Sequence, residues 1–262
     1  GELDLIKAVL INLAPSFGFN LYTYSDVPPG SGLGGSAVLV SAVIGAFNNF
    51  RKNKLDLYEI AELAFHSERI VLSMDGGWQD QYATVFGGFN YIEFSEKDNT
   101  VNPLKITNSI KNELEDSLFL CYTGKNHDSG KIHDHIRIQM KKNDQKKYAE
   151  KSKEIAYKMK TRLLQGRLDS FGSLLGEAWS AKKMFSKKIS NLSLDKIYDY
   201  AIKNGAIGGK LLGAGDGGYF LFYVPTHNKI DFIKAIKRKG LFLEDFTFDD
   251  NGLRSWTTKA KL

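Results

Sequence analysis

Residues 28–37 read Pro-Pro-Gly-Ser-Gly-Leu-Gly-Gly-Ser-Ala, with two prolines, four glycines and two hydroxyls in ten positions. Neither helix nor strand is built from such a stretch, so a turn is forced here. Before it, residues 19–24 alternate like a strand, and after it residues 38–47 are apolar and long enough for a helix. A chain that turns through glycines into a helix brings bare backbone up to the helix start. The first amides there have no intrahelical acceptor and can bind an anion. A phosphate site is therefore expected at this turn, and an ordinary strand-to-helix connection is the plain alternative. The spacing is not that of a Walker loop, because no Gly-Lys-Ser/Thr closes it, nor of the dinucleotide fingerprint. Ser36 stands at the expected helix start with its hydroxyl free for a metal ion.

At 262 residues the chain has room for one large or two modest domains. Its hydrophobic fraction of 42% and aromatic fraction of 12% are those of a globular chain. No apolar run reaches the ~18 residues of a membrane span, and Gly1-Glu2-Leu3-Asp4 does not open a signal peptide, so a cytoplasmic protein without membrane contact is expected. The single cysteine, Cys121, has no internal disulfide partner. The formal charge of +6 gathers at residues 141–160, where eight lysines face three acids. No aromatic stacking pattern accompanies them, so they read as the solvated face of a helix with Tyr148, Ile155 and Met159 inward, and nucleic acid is not the expected partner.

Along the chain, helical and strand periodicities interchange in an α+β manner. Helices are expected at 3–13, 36–50, 57–72, 80–85, 131–165, 167–185, 194–203 and 230–239. Strands are expected at 19–24, 88–94, 117–122, 211–212, 218–224 and 241–248. Asp56 and Glu59 form a candidate capping box for the helix at 57–72. The polar stretch 95–108 marks a boundary between domains at 1–108 and 109–262.

Two further segments carry chemistry. In residues 65–94, Glu68 interrupts an otherwise apolar helix and Asp80 follows a glycine turn twelve residues later. One carboxylate near nucleotide phosphates can hold Mg²⁺ while another accepts the proton of a substrate hydroxyl, a division suited to phosphoryl transfer. The alternative is that Glu68 pairs with Arg69 or Arg51 and that Asp80 caps a helix. Residues 208–225, GGKLLGAGDGGYFLFYVP, read as a second glycine loop before a strand, or as a tight hairpin.

In this order, the three segments resemble the GHMP small-molecule kinases. PPGSGLGGSA is similar to their phosphate-binding motif and KLLGAGDGGYFLF to their C-terminal glycine motif. GGWQDQYATVFGGFNYIEF and EAWSAKKMFSKKISN resemble the bacterial D-glycero-D-manno-heptose 7-phosphate kinases, and GGWQDQ also resembles bacterial L-fucokinases. The resemblance implies a two-domain fold, with a ribosomal-protein-like α/β domain first and a ferredoxin-like domain second. It implies that Gly30, Ser31, Gly32, Leu33, Gly34 and Gly35 surround the phosphates of ATP, with Gly213, Ala214 and Gly215 as the second loop. By the same likeness, Ser36 and Glu68 hold Mg²⁺ and Asp80 takes or orients the proton of the sugar hydroxyl. The implied reaction transfers the γ-phosphoryl group to the anomeric hydroxyl of a heptose phosphorylated at C7, giving the 1,7-bisphosphate, and a homodimer is compatible with it. The alternatives are an anomeric kinase for a free sugar of the L-fucose or galactose type, or a non-catalytic sugar sensor of the same fold.

Two departures from the family pattern stand out. The basic, glycine-containing motif expected near the start of the family is absent before Leu3, so the first domain is expected to be truncated. Asp216 occupies a place where a small residue is usual, and a carboxylate beside phosphates requires solvent or a cation. Finally, His127, His133 and His135 fall within nine residues. On a helix His133 and His135 diverge, which makes a polar loop a better reading than a zinc site.

Overall fold

The structure, a computed structural model, describes residues 2–125, 132, 135, 136, 138 and 146–258. It divides into two compact units, one of residues 2–29, 34–103 and 249–258, the other of residues 30–33 and 104–248.

The first unit is mainly helical. Helix α1 (Glu2–Leu13), α2 (Gly35–Asn48), α3 (Leu57–Phe65) and α4 (Gln79–Phe86) are followed by an antiparallel hairpin of β1 (Asn90–Glu93) and β2 (Thr100–Pro103). Val9, Val40, Ile44, Phe47, Ile60, Tyr82 and Val85 form its core. The apolar positions of α2 recur at helical spacing, and each large side chain so buried contributes roughly 1.5–3 kcal/mol. The expected capping box is present: Asp56 accepts from the Glu59 amide at 2.9 Å, and Glu59 accepts from the Asp56 amide at 2.8 Å.

Three expectations in this unit change. The helix expected over 57–72 is α-helical only to Phe65, and His66–Val71 continue as a π-helical segment. Such widened turns are rare and cluster at functional sites. Residues 19–24 are not a strand; Tyr22 and Tyr24 are about 90% exposed, at 90% and 92%, and no strand among the described residues pairs with them. Alternation favours a strand only where a neighbour completes its hydrogen bonds. The polar stretch 95–108, expected to hold a domain boundary, also contains β2, a strand not expected there.

Residues 249–258 return to the first unit. The Gly88 amide donates to the Asp249 carbonyl at 2.7 Å, the Leu253 amide to the Val85 carbonyl at 3.1 Å, and the Leu253 side chain packs where a Cβ on Gly45 would stand. Gly87 makes this return possible. Its φ is +61°, and a Cβ there would lie 2.1 Å from the Gly252 nitrogen. Gly87→Ala is expected to lose about 2–4 kcal/mol through left-handed strain and backbone collision. In a thermal melt that is a drop of roughly 5–15 °C, and an unchanged melting temperature would contradict the packing.

The second unit is a four-stranded antiparallel sheet, ordered β4 (Gly208–Leu211), β5 (Tyr219–Tyr223), β3 (Leu118–Tyr122) and β6 (Phe242–Glu244). With it go α5 (Asn108–Ser117), α6 (Lys146–Leu164), α7 (Leu168–Lys183), α8 (Leu192–Lys203) and α9 (Lys229–Arg238). Trp179, Ile197, Leu211, Phe220, Phe222 and Phe232 centre the core. Cys121 is buried there and its thiol is pushed up to about 12 by desolvation, so it is protonated at neutral pH. Residues 131–145 of the long expected helix lie outside the described residues except at 132, 135, 136 and 138. No helix among the described residues is long and apolar enough to cross a membrane.

Candidate active site

The glycine turn ends at α2. Gly30, Gly32 and Gly34 have φ of +73°, +79° and +75°, the left-handed conformation that only glycine adopts freely. Gly34 is the N-cap of α2, and no side chain caps the helix. Its first amides therefore have no capping side chain as acceptor. Gly35 differs: its φ is not left-handed, and an added Cβ would meet nothing within 4 Å. Ser31 is buried, and its hydroxyl accepts from the Leu33 amide at 3.4 Å, tightening the turn.

Three residues distant in sequence gather at the start of α2 in the first unit. The Ser36 hydroxyl donates to Glu68 Oε1. Glu68 lies on the π-helical segment and is 1% exposed. The side chain of Asp80 lies beside Gly34, its Cβ and Cγ 3.9 Å from where a Gly34 Cβ would stand. The alternatives for these carboxylates fall away. Glu68 is bound by Ser36 and Gln81 rather than by Arg69 or Arg51. Asp80 is the second residue of α4, whose N-cap is Trp78 with no side-chain cap bond.

Gln81 was not anticipated. It is fully buried, and its amide nitrogen donates to Glu68 Oε2. A carboxylate only accepts, so the nitrogen must face it and the carbonyl oxygen must point elsewhere. That oxygen, Oε1, is buried without a partner among the described residues. The Ser36 hydroxyl and the Glu68 carboxylate make an all-oxygen donor pair, which fits Mg²⁺, an ion that takes few protein ligands and keeps several waters. Ser67, beside Glu68, donates to the Leu63 carbonyl at 2.8 Å and accepts from Asn12 at 3.0 Å, which ties the π-helical segment to α1.

The second glycine loop lies in the second unit, after β4. Gly213 has φ +63°, and a Cβ on it would come 2.7 Å from the Gly32 Cα; Gly215, at φ +133°, lies as closely against Ile189. Ala214 is buried. Lys182, on α7, donates from Nζ to the carbonyls of Leu211, at 3.0 Å, and Gly213. An ammonium on two carbonyls fixes the peptide planes with which the loop begins. On the implied role of this loop at the ATP phosphates, Lys182→Met is expected to raise the KM for ATP by roughly 10-fold, with Lys182→Arg restoring part of the loss; steady-state kinetics with ATP varied would read this, and an unchanged KM would count against that role.

Asp216 has its cation. Lys125 Nζ stands 2.6 Å from one carboxylate oxygen, Asn191 donates to the other at 3.0 Å, and the Asp216 amide donates to the Ile189 carbonyl at 2.9 Å. His127 and His133 lie outside the described residues, and His135 Nδ1 is 2.6 Å from the Ser186 hydroxyl. No His, Cys, Asp or Glu cluster suited to a metal occurs among the described residues.

Residues 4–88 match the family model of the GHMP kinase N-terminal domain and residues 159–239 that of the C-terminal domain. Over 98% of its length the chain is 40% identical to a D-glycero-alpha-D-manno-heptose 7-phosphate kinase of Campylobacter jejuni, and spans 77% of that protein. The chain belongs to the GHMP kinases. This GHMP kinase is also similar to a crystal structure described as a D-glycero-D-manno-heptose 1-phosphate kinase of Bacteroides thetaiotaomicron, with TM-score 0.75, 32% identity, and coverage of 98% of this chain and 75% of that one. A third relative, the L-fucokinase/L-fucose-1-P guanylyltransferase of Bacteroides fragilis, is 31% identical over 77% of this chain and 22% of its own length. The GHMP fold, with its N- and C-terminal domains, is thus the fold of this kinase, as expected. It is an ATP-dependent phosphotransferase, a sugar kinase that takes its phosphate from ATP and acts on a small molecule. The non-catalytic sensor is thereby set aside.

Proposed function

We propose that this kinase transfers the γ-phosphoryl group of ATP to the anomeric hydroxyl of D-glycero-D-manno-heptose 7-phosphate. The observation that carries the reading is the 40% identity to a kinase of that name, held over 98% of the chain. The gathering of Ser36, Glu68 and Asp80 at the start of α2 supports it.

In this reading the amides of residues 30–35 and of Gly213, Ala214 and Gly215 hold the phosphates of ATP. Ser36 and Glu68 hold Mg²⁺, with Gln81 fixing Glu68. When bound, Mg²⁺ supplies positive charge to the phosphate oxygens as charge shifts among them. Asp80 orients the anomeric hydroxyl and accepts its proton. The hydroxyl oxygen then forms its bond to the γ-phosphorus as the bond to the β–γ bridging oxygen breaks, and ADP leaves with that electron pair. Positioning and charge neutralisation do most of the work in such a transfer. The division into domains at 1–108 and 109–262 belongs to the same reading. So does a cytoplasmic location, where ATP is supplied; a homodimer is compatible with it, and sedimentation would decide that point.

A second reading, a free-sugar kinase, is favoured by the 31% identity to the L-fucokinase. ADP release from Mg·ATP with heptose 7-phosphate, heptose 1-phosphate, free heptose, L-fucose and galactose separates the two. Turnover confined to the 7-phosphate is the expected result. Turnover of a free sugar at a comparable rate would overturn it.

A further inference from the structure

We propose that Lys125 and Asp216 act as a pair at the second glycine loop: Asp216 presets the loop for the phosphates of ATP, and Lys125 cancels the charge that would otherwise repel them. The inference rests on the reading that this loop meets ATP, and it names what fits an acidic residue to such a place.

Residues 213–218 are Gly-Ala-Gly-Asp-Gly-Gly, so Asp216 carries the only side chain there longer than a methyl group. A loop with so little to hold it would have to be ordered at the moment of binding, at a cost in affinity. Asp216 has φ +61°, the left-handed conformation, where glycine would sit without strain. Its side chain therefore has to justify the position, and it does so by reaching out of the loop on two sides. Oδ1 accepts from the Asn191 amide nitrogen at 3.0 Å. Asn191 is the N-cap of α8, and its own side-chain oxygen accepts from the Ser193 and Leu194 amides at 3.0 and 3.1 Å. With that oxygen committed to the helix, the nitrogen is left to face the carboxylate. On the other side, Oδ2 stands 2.6 Å from Lys125 Nζ.

Lys125 is itself fixed beside the loop. Its carbonyl accepts from the Gly218 amide at 2.8 Å, and the Gly218 carbonyl accepts from the Thr123 amide at 3.0 Å and the Thr123 hydroxyl at 2.8 Å. The backbone just past β3 is thus paired with the last residue of the loop, and the lysine side chain has only to turn back to Asp216. Bracing alone does not call for a charge, since asparagine tolerates the left-handed region as well. What a carboxylate adds is a negative charge, which beside phosphates weakens binding unless a cation matches it. Lys125 is that cation.

Calorimetric titration of Mg·ATP into the wild type, Asp216→Asn, Lys125→Met, the double variant and Lys182→Met tests the pair. Asp216→Asn keeps the left-handed backbone but loses the tie to Lys125, and is expected to raise Kd about 3-fold. Lys125→Met leaves the carboxylate unmatched and is expected to raise Kd roughly 10- to 30-fold. The double variant should recover to within about twofold of Asp216→Asn, and added KCl should narrow the gap between Lys125→Met and the wild type, because salt screens the repulsion. Melting temperatures should hold in all three, since a part-exposed ion pair adds little stability. Binding by Lys125→Met no weaker than by Asp216→Asn would overturn the inference, because the carboxylate would then carry no penalty to cancel. Wild-type affinity in all three, with Lys182→Met weakened, would overturn it and leave the loop at ATP. If Lys182→Met also bound as the wild type, the reading of the loop would fall and the inference with it.

Discussion

Replacing Asp80 by Asn should lower turnover by about 10²-fold or more, the usual contribution of a general base, with the Kd for ATP nearly unchanged. The carboxamide has the same shape and cannot accept the proton of the sugar hydroxyl. Asp80 has little structural duty to confuse the result. It lies half-buried in the first turn of α4, where Trp78 is the N-cap, and its side chain abuts the bare backbone of Gly34. ADP release under saturating substrates, beside calorimetric titration of ATP, makes the comparison. Unchanged turnover would remove Asp80 from the proton-transfer role, and a parallel loss of ATP binding would recast it as part of the phosphate site.

For Glu68 the informative experiment is a pair of substitutions. Glu68→Gln keeps the shape; the Ser36 hydroxyl and the Gln81 amide can each reorient, so the hydrogen bonds are largely conserved while the charge is lost. The Mg²⁺ concentration for half-maximal rate should then rise about 10- to 100-fold, with a modest change in melting temperature. Glu68→Ala also strands the buried Gln81 amide and the half-buried Ser36 hydroxyl and leaves a cavity, which costs roughly 2–5 kcal/mol and lowers the melting temperature by about 5–15 °C. If Mg²⁺ dependence were unaltered in Glu68→Gln, Glu68 would be a structural carboxylate and the metal would be held elsewhere.

Much of the fold was legible because local chemistry and tertiary structure agree. The box of Asp56 and Glu59 starts α3 as read, and the continuous apolar runs of β3 and β5 meet in register, with Cys121 opposite Phe220. Where they disagree, the local pattern failed. Helix α5 escaped notice because it is polar, burying only Leu114 and Ser117 and relying on Thr107 to cap the Ile110 amide. Residues 19–24 have strand composition without a partner among the described residues, and Phe19 instead packs its ring on the edge of Phe47. The widened turn at His66–Val71 leaves no mark in apolar spacing.

In the site, glycines with positive φ announced themselves, as did carboxylates in odd company. Gln81 and Lys182 did not, since nothing in their neighbours shows that one will face Glu68 and the other two loop carbonyls. Such partners are chosen by the fold, across 13 and 29 residues of chain. Asp216 was flagged by chemistry alone, and its resolution, Lys125, lies 91 residues away.

The return of residues 249–258 to the first unit bears on biosynthesis. The contacts that Gly88, Val85 and Gly45 make with Asp249 and Leu253 become available only once everything from Leu104 to Phe248 has left the ribosome. At ordinary elongation rates that is a wait on the order of ten seconds. By the end of that interval the sheet of the second unit has all its strands, while the earlier-made helices still lack their last partner. The first unit to be translated is thus the last to be finished, and a nascent chain arrested short of Asp249 would carry α2, and Ser36 with it, on an incomplete scaffold.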